Sequence, residues 1–390
     1  MNELKEEVIK TIESVRGEIV EIADTIHDNP ELGFCEHKAV DLLTSELARC
    51  GFDVETGTAG IETAFKARLQ GQSGGPKIAL LAEYDALPGI GHGCGHNLIC
   101  SASVGAAIGL TSVMRKLPGR IVVIGTPAEE TDGAKVPMVE RGVFDDVDAA
   151  MMVHPSDMTA VESTSLAMEA IEFTFKGKPS HAAESPHEGI DAVDAVTLMF
   201  TAVNALREHV TDDARIHGII TEGGVAPNII PEKAAARFYI RATTKGYLDE
   251  VVEKVKNCAR GAALATGAKV TFRNFESSFA NMVPNHALAE ALRKNLLSLG
   301  VGGISPPVAM KGSTDMGNVS HAVPAVHAYI AIGPGGLGLH TKEFAQAAAS
   351  EDAHKALVLA AKAMAMTAID ILTRPELLEE MKEEFRSSKG

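Results

Sequence analysis

The segment KIALLAEYD, residues 77–85, is a continuous apolar run that ends at Asp85. A short run of this kind between polar residues is typical of a strand buried on both faces of a sheet. The next apolar segment, NLICSASVGAAIGLTSVM (97–114), predicts a helix that begins right after His96. Because a helix between buried strands indicates a right-handed crossover, the pair predicts an α/β fold with a mostly parallel sheet covered by helices.

Two further segments have the same construction. RIVVIGTPAEE (120–130) has an apolar run that is followed by Glu129 and Glu130. DAAMMVHP (148–155) has an apolar run that is followed by His154. Sites in open α/β sheets form beyond the carboxyl ends of the parallel strands. The three segments therefore predict one sheet edge at which carboxylates and a histidine gather.

The pattern changes after about residue 168. AIEFTFKG alternates apolar and polar residues, which indicates a strand with one solvated face, and the elements that follow have the order β-α-β-β-α-β of ferredoxin-like domains. From about Val283 the α/β pattern returns. A chain of 390 residues is long enough for two domains. We therefore predict a discontinuous catalytic domain, residues 1–167 and 283–390, with an inserted ferredoxin-like α+β domain, residues 168–282.

Composition narrows the class of protein. Acidic residues outnumber basic ones by 52 to 36, and the net charge of −16 argues against a nucleic-acid or anionic-membrane partner. The amino-terminal segment MNELKEEVIK lacks the apolar core of a secretory signal, and the five cysteines are scattered. We expect a cytoplasmic protein with reduced cysteines.

Residues of metal-binding type occur at the strand ends and in glycine-rich loops. The loop GHGCGHN (91–97) can turn two of them toward one centre, because its glycines let the chain bend sharply. Thiolate, imidazole and carboxylate ligands together suit zinc, with manganese, cobalt or nickel as alternatives. The role of His92 in the same loop stays open. The predicted metal ligands are Cys94, His96, Glu130, His154 and His340.

The adjacent carboxylates Glu129 and Glu130 suggest two different roles, one in metal binding and one in proton transfer. Two neighbouring carboxylates at a strand end repel each other unless a cation offsets their charge. Because successive side chains diverge, one can bind a metal while the other stays free. We assign Glu130 to the metal and Glu129 to general base catalysis, which predicts a metal-dependent hydrolase.

Two other functions are compatible with the same residues. Cys94 could be the nucleophile of a thiol hydrolase with a nearby histidine as base. That mechanism has no use for the acidic pair and the two distant histidines. A metal- or ligand-binding protein that has lost its chemistry is the second alternative, and an unliganded Glu129 argues against it.

Motifs along nearly the whole chain support the hydrolase. In chain order they are IHDNPELGF, AEYDALPG, GHGCGHN, TPAEE, GKPSHAA, GGVAPNIIPE, FYIRA and GSTDMGNVSH. Together they resemble the dizinc amidohydrolase and peptidase family that includes aminoacylase, carboxypeptidase G and the plant auxin-conjugate hydrolases. AEYDALPGIGHGCGH and GSTDMGNVSH most resemble the branch with p-aminobenzoyl-glutamate hydrolases and aminoacylase-like dipeptidases.

The resemblance implies roles for individual residues. The five predicted ligands match the metal-ligand positions of the auxin-conjugate hydrolase branch, which implies two metal ions per subunit. Glu129 matches the family's catalytic glutamate, and Asp85 matches an aspartate that supports the metal site. His181, Asn228 and Arg241 match residues that bind the substrate's carboxylate or polarise its scissile carbonyl.

The resemblance also implies a substrate class and an assembly. The substrate would be a dipeptide or an N-acyl amino acid, and the inserted domain would form a homodimer in which His181 can serve the neighbouring subunit. The sequence departs from the common family pattern at two places. Glu83 stands where the first motif elsewhere has a metal-binding histidine, and Cys94 stands where a bridging aspartate is widespread.

Overall fold

The structure, a computed structural model, describes residues 3–388. Within these residues the helices are α1 (Glu3–Ser14), α2 (Arg16–Asp28), α3 (His37–Arg49), α4 (His96–Leu110), α5 (Lys135–Glu140), α6 (Ala192–Leu206), α7 (Lys245–Thr266), α8 (His286–Ser298), α9 (Met316–Ala322), α10 (Lys342–Ala347), α11 (Glu351–Thr373) and α12 (Pro375–Ser387). The strands are β1 (Asp53–Thr56), β2 (Phe65–Gln70), β3 (Gln72–Ala82), β4 (Pro118–Gly125), β5 (Ala149–Ser156), β6 (Ser163–Thr164), β7 (Ala167–Lys176), β8 (Arg215–Gly223), β9 (Lys233–Ala242), β10 (Lys269–Asn274), β11 (Val308–Ala309) and β12 (Ala325–Ala331).

The chain folds into two compact units. The first, here the sheet-and-helix unit, runs from the amino terminus to Thr164, continues over Met282–Met310, and resumes at Asp315. The second, here the inserted unit, comprises Ser165–Asn281 with the short segment Lys311–Thr314.

The sheet-and-helix unit is built on a six-stranded sheet with the order β1-β2-β4-β3-β5-β12. The four strands β4, β3, β5 and β12 pair in parallel, whereas β2 pairs antiparallel with β4 and the edge strand β1 pairs antiparallel with β2. β3, β4 and β5 contain the three apolar segments of the sequence. The predicted α/β class with a mostly parallel sheet is confirmed.

Both faces of this sheet are buried. Along β3 the alternate residues Ile78 and Leu80 pack in one apolar cluster with the helices α1, α2, α4 and α11, while Ala79 and Leu81 pack in a second cluster on the opposite face. Helix α4 is buried along its full length. Its small residues allow close packing: a Cβ at Gly109 would lie 2.4 Å from Ile12.

Helix α11 is long and apolar enough to cross a membrane by length and composition. However, 78% of its apolar window is buried inside the protein, where the helix packs against α4 and α8. The apolar character of α11 therefore reflects its position in the core.

The inserted unit is a four-stranded antiparallel sheet with the order β10-β7-β9-β8 and the element order β-α-β-β-α-β. Helices α6 and α7 cover one face, where Phe173, Phe175 and Phe238 form a core with the apolar residues of both helices. The opposite face carries the polar residues of each alternating strand, among them Glu172, which is paired with Arg237 at 2.7 Å. Strand alternation predicted this division.

The amino-terminal segment differs from the sequence expectation in one detail. Apolar spacing from Leu4 to Ile26 predicts one helical stripe, whereas the structure has two helices separated at Val15. Gly17 lies in the first turn after the break, and glycine has low helix propensity. Both helices nevertheless bury their apolar residues in the same core.

Candidate metal centre

The loop before α4 presents Cys94 and His96 on the same side of the sheet edge. Gly95, between them, has φ = 72° and serves as the N-cap of α4. A Cβ at this position would lie 2.5 Å from Pro155 Cγ. Glycine is therefore required both for the backbone conformation and for the close approach to β5.

Asp85 orients the ring of His96. The His96 Nδ1–H donates to Asp85 Oδ1 at 2.9 Å, which turns Nε2 toward Glu83 and the other residues of the cluster. The other oxygen of Asp85 accepts from the backbone N–H of Glu130, also at 2.9 Å. One carboxylate at the end of β3 thus fixes residues from two other segments.

Cys94 lies between two further histidines. Its Sγ is 3.5 Å from His154 Nε2 and 3.5 Å from His340 Nε2. His154 Nδ1 donates to the carbonyl of Pro155 at 2.6 Å, which leaves its Nε2 lone pair free to face Cys94. Zinc-bound sulfur and nitrogen lie about 2.0–2.3 Å from the ion, so two ligands of one tetrahedral ion are separated by roughly 3.5 Å.

His340 reaches this place through a strained turn. Its φ is 62°, in the left-handed region that side chains other than glycine rarely adopt, and its backbone N–H donates to the carbonyl of Gly93 at 2.9 Å. The hydrogen bond ties the loop before α10 to the loop that carries Cys94. Backbone strain of this kind is found mainly at functional sites.

Glu129 and Glu130 follow β4 in a turn whose first residue, Ala128, also has a left-handed φ of 59°. The N–H of Ala128 donates to the buried carboxylate of Glu36 at 2.8 Å. Glu130 Oε1 lies 3.4 Å from His340 Nε2 and 3.9 Å from His96 Nε2. The acidic pair therefore faces the histidines, as the strand-end rule predicts.

A buried ion group that the sequence did not reveal lies behind these residues. The side chain of Lys135 is fully buried, and its Nζ is 2.6 Å from Glu83 Oε1 and 2.7 Å from Asp315 Oδ1. The second oxygen of Glu83 lies 3.5 Å from His96 Nε2. Glu83, which replaces the histidine of the common family pattern, thus contributes a carboxylate to the same cluster.

The surroundings set the protonation of each group. Burial, together with the charges of Glu83 and Glu130, raises the pKa of the Glu129 carboxyl well above its usual value. Burial opposes ionisation of Glu83, but the charges of Lys135 and His96 lower its pKa to about 2. Burial lowers the pKa of His154 to about 4. The site therefore combines the ionised carboxylate of Glu83, the neutral imidazole of His154 and the carboxyl of Glu129, whose pKa is raised.

Three overlapping sets of ligand atoms in this site could hold a divalent metal ion. Within each set the atoms lie within 4.8 Å of one another. Among residues 3–388, His96 Nε2 and Glu130 Oε1 are buried atoms that make no hydrogen bond of ordinary geometry. Buried polar atoms without partners are costly unless a ligand satisfies them, so the residues present fit a metal. The sets are Cys94, His96 and His154; Cys94, Glu130 and His340; and His96, Glu129 and Glu130.

His92 has a different environment. The ring is buried, its Nε2 donates to the carbonyl of Ile26 at 3.1 Å, and burial lowers its pKa to about 3. It belongs to none of the three ligand sets. The contact with α2 gives His92 a structural role in the loop.

The structure places the predicted substrate-binding residues in the inserted unit. His181 forms an isolated β-bridge with Ile229, and the carbonyl of Asn228 accepts from Ala182 at 3.0 Å, so His181 and Asn228 are neighbours. His181 Nδ1 accepts the backbone N–H of Glu184 at 3.2 Å, which puts its proton on Nε2. The side chain of His181 is exposed.

Arg241 lies at the opposite end of the same sheet. It pairs with Met168 at the start of β7, whereas His181 follows the end of β7, where Lys176 pairs with Lys233. Arg241 lies eight positions after Lys233 along β9, which corresponds to about 26 Å at roughly 3.3 Å per residue. Within one chain, His181 and Arg241 are therefore too far apart to contact one small substrate together.

Lys135 and Asp315 are the site residues that sequence reasoning missed. Lys135 stands between Ala134 and Val136, both buried, five residues after Glu130. A lysine in an apolar stretch next to predicted ligands is unusual, because a buried ammonium needs a charged partner. Asp315 lies in the motif GSTDMGNVSH, one of those that carry the family resemblance.

The fold and the candidate site are those of an enzyme whose chemistry lies at the carboxyl ends of parallel strands, beside residues that could hold a metal ion. Comparison with known proteins identifies which one: residues 79–364 match Peptidase family M20/M25/M40, and the chain belongs to this family. The predicted resemblance is confirmed. The protein is a peptidase or amidohydrolase, an enzyme that hydrolyses amide or peptide bonds.

Two relatives are similar over almost their whole length. The Xaa-Arg dipeptidase of Mus musculus is 38% identical, over 98% of this chain and 92% of that protein. One of the polypeptides of the p-aminobenzoyl-glutamate hydrolase of Escherichia coli (strain K12) is 33% identical, over 99% of this chain and 95% of that polypeptide.

Solved structures share the fold. An aminobenzoyl-glutamate utilization protein from Klebsiella pneumoniae superposes with a TM-score of 0.75 at 18% identity, over 94% of this chain and 99% of that chain. A Bacillus subtilis protein described as a dinuclear metal binding peptidase of the M20 family superposes with a TM-score of 0.72 at 22% identity, over 92% and 99%.

Proposed function

We propose that the protein is a metal-dependent hydrolase of the amide bond in a dipeptide or an N-acyl amino acid, with Glu129 as the general base. The observation that carries this proposal is that the ligand atoms of five residues lie close together and that two of these atoms, His96 Nε2 and Glu130 Oε1, are buried without a hydrogen-bond partner in the part of the chain that the structure describes. The five residues are Cys94, His96, Glu130, His154 and His340. The names of the two similar relatives, a dipeptidase and an aminobenzoyl-glutamate hydrolase, support the substrate class.

We propose that Cys94 and the other predicted ligand residues would hold two divalent ions, with zinc the first candidate. His96 and His154 would complete one site, and Glu130 and His340 the other. A divalent ion at this place polarises the scissile carbonyl and lowers the pKa of water. The Bacillus subtilis structure, described as dinuclear, supports the count of two.

The chain's own groups carry the proton. The carboxylate of Glu129 belongs to the ligand set with His96 and Glu130, so it lies within reach of a water held at this set. Burial and the charges of Glu83 and Glu130 raise the pKa of Glu129, and divalent ions held by its neighbours would offset these charges and favour the ionised, proton-accepting form. Glu129 then delivers this proton to the nitrogen of the leaving amine, which completes hydrolysis.

We propose that Arg241 of one subunit and Asn228 of the neighbouring subunit bind the substrate's free carboxylate through charge-assisted hydrogen bonds and that His181, which lies beside Asn228, steadies the developing oxyanion. The two ends of the sheet are about 26 Å apart along β9, so His181 and Arg241 of one chain cannot reach the same small substrate. This separation supports the proposal that His181 acts in the active site of a neighbouring subunit. His181 is exposed, and because its Nδ1 accepts a backbone N–H, its Nε2–H is available as a donor.

A homodimer formed through the inserted unit is part of this proposal. β8 is an edge strand of the antiparallel sheet, and its Ile219 and Ile220 are 65% and 47% exposed. Unpaired edge strands with apolar side chains are ready surfaces for association. Sedimentation equilibrium on the intact protein, repeated on Ile219→Lys, tests the assembly, and a monomer at micromolar concentration would contradict it.

The decisive test of the catalytic proposal is Glu129→Gln. The variant should keep its bound metal, measured by elemental analysis, and lose activity against a panel of N-acyl amino acids and dipeptides by about 10²–10⁴-fold. Glu140→Gln, an exposed glutamate on α5, is the matched control and should keep full activity. Activity retained in Glu129→Gln would overturn the role of the residue.

Inactivity of the wild-type protein across a broad panel, with zinc or manganese supplied, would favour the metal- or ligand-binding alternative. The thiol-hydrolase alternative has one supporting observation, the 3.5 Å distance between Cys94 Sγ and two imidazoles. Burial and the charge of Glu130 raise the pKa of the Cys94 thiol, which argues against a free thiolate nucleophile. Resistance to chelators together with inactivation by alkylation would favour that alternative.

A further inference from the structure

The inserted unit contains a cavity of about 660 Å³ that the proposed hydrolysis does not explain, apart from the presence of Arg241 in its wall. Its polar lining is dominated by positive charge. Four basic side chains and one histidine face a single carboxylate. These residues are Arg207, Arg215, Arg241, Lys311, His217 and Asp213.

The arginines of the cavity are bonded only to neutral oxygens. Arg241 donates to Ser313 Oγ at 2.7 Å, Arg207 to Asn204 Oδ1 at 3.2 Å and Arg215 to the carbonyl of Ala214 at 2.8 Å. Between residues 3 and 388, no carboxylate lies within 4.0 Å of these three guanidinium groups or of the Lys311 ammonium. Arg237, the other arginine of β9, is by contrast paired with Glu172 at 2.7 Å.

The one acidic residue of the lining is already engaged. Asp213 Oδ2 accepts the hydroxyl of Thr243 at 2.7 Å. Its hydrogen bonds with Thr211 and Thr243 lower the pKa of Asp213 to about 2. Asp213 therefore offsets at most one of the four positive charges, and Glu276, which is bonded to Tyr239 and acts on Arg241 by its charge, offsets part of a second.

Strand register brings two of the cations together. Arg215 of β8 and Arg241 of β9 are directly opposite each other in the antiparallel pair. Like charges at such positions destabilise a sheet, because the Cβ atoms of cross-strand partners lie about 5 Å apart. An anion bound between them would remove this repulsion.

We propose that the cavity is a binding site for a small dicarboxylate, such as an acyl-glutamate or acyl-aspartate. The net positive charge of the cavity lining is larger than the single negative charge of one carboxylate, so two carboxylates fit better than one. The planar guanidinium groups also match carboxylates in geometry. The volume lies in the range of small-molecule sites, about 300–1,000 Å³, and is larger than an inorganic anion requires. His217 can add a neutral N–H donor.

Two sources of this chemistry are possible. The dicarboxylate is either the acidic amino acid end of the substrate, in which case the inference rests on the proposed function and deepens it, or a separate ligand. A cationic side chain, as in a substrate of the type Xaa-Arg, would be repelled by the same residues.

Binding is tested without turnover by calorimetry on the intact protein. Glutarate and N-acetyl-L-glutamate should bind, while N-acetyl-L-glutamine and inorganic phosphate should bind about tenfold more weakly or not at all. Arg215→Gln and Lys311→Met should each weaken dicarboxylate binding by about 10- to 100-fold. Arg260→Gln and Lys269→Met, exposed residues of α7 and β10, are matched controls and should bind normally.

No dicarboxylate binding by the wild-type protein would overturn the proposal. So would equal binding of N-acetyl-L-glutamine or phosphate, or binding unchanged in both cavity variants, provided circular dichroism shows them folded.

A second measurement distinguishes the sources. If kcat/KM for acyl-glutamate falls in Arg215→Gln while kcat/KM for acyl-leucine does not, the cavity serves the substrate. Loss of binding with both values unchanged identifies a separate ligand. Wild-type inactivity on every substrate would sink the proposed function alone, since the binding measurement does not depend on hydrolysis.

Discussion

His96 Nδ1 lies 2.9 Å from Asp85 Oδ1, and both side chains are buried. The same aspartate holds the backbone N–H of Glu130 with its second oxygen, also at 2.9 Å. Asp85 therefore acts on the candidate metal centre without contacting substrate, by fixing the ring of one ligand and the backbone of another. A carboxylate that accepts from a ligating histidine also makes the opposite nitrogen a better electron donor.

Asp85→Asn should weaken metal binding by about 10- to 100-fold, because an asparagine has a single acceptor oxygen for the two N–H groups that Asp85 satisfies. Titration of the metal-free protein with zinc against a competing chelator measures this change. Asp132→Asn, an exposed aspartate two residues after Glu130, is the control and should bind zinc normally. Unaltered affinity in Asp85→Asn would contradict the positioning role.

Cys94 is predicted to bind metal as a thiolate. Protein reconstituted with cobalt should show the charge-transfer absorption of cobalt–thiolate bonds, and Cys94→Ser should lack it and bind less metal per chain. Cys100→Ser, which changes a buried cysteine of α4 outside the ligand sets, should keep the absorption. An unchanged spectrum in Cys94→Ser would exclude the thiolate.

Much of the candidate centre could be predicted from local sequence. Buried strands are short apolar runs, and their carboxyl ends lie at the same edge of a parallel sheet, so the sequence predicts that Asp85, Glu130 and His154 are close together. The glycines around Cys94 and His96 signalled a bent loop. Alternation after residue 168 identified the antiparallel sheet of the inserted unit in the same way.

Other features depend on contacts that no local pattern encodes. Lys135 and Asp315 are 180 residues apart, and only the folded chain shows that they pair. Sequence order likewise does not reveal that His181 and Arg241 lie at opposite ends of one sheet, because this follows from the register of β7 with β9. The cationic cavity also depends on strand register, which sets Arg215 opposite Arg241.

Lys135→Met should destabilise the protein by about 3–5 kcal/mol, because it leaves the buried charges of Glu83 and Asp315 without their cation. Urea denaturation measures the free energy of unfolding. Lys10→Met, an exposed lysine of α1, should be within about 0.5 kcal/mol of wild type. The double variant Lys135→Met/Asp315→Asn should be more stable than Lys135→Met alone, and a further loss in the double variant would refute the charge argument.

Glu36 should make the stability of the protein fall as the pH rises from about 4.5 to about 7. Its side chain is buried, and this burial raises the pKa of its carboxyl from 4.5 to about 7. In that interval the unfolded chain has released a proton that the folded chain still holds, so raising the pH favours unfolding. The shift corresponds to a loss of about 3 kcal/mol, complete above pH 7.

Glu36→Gln removes this titration and keeps an acceptor for the N–H of Ala128. The difference in unfolding free energy between the variant and wild type should therefore move in favour of the variant between pH 5 and pH 8, by up to about 3 kcal/mol. The measurement uses urea denaturation with chelator present, so that metal binding adds no pH dependence of its own. Glu62→Gln, whose side chain is 86% exposed, should show no such trend. If the two variants follow the same pH profile, Glu36 is ionised in the folded protein at neutral pH, and the turn that carries Glu129 is held by a charged carboxylate.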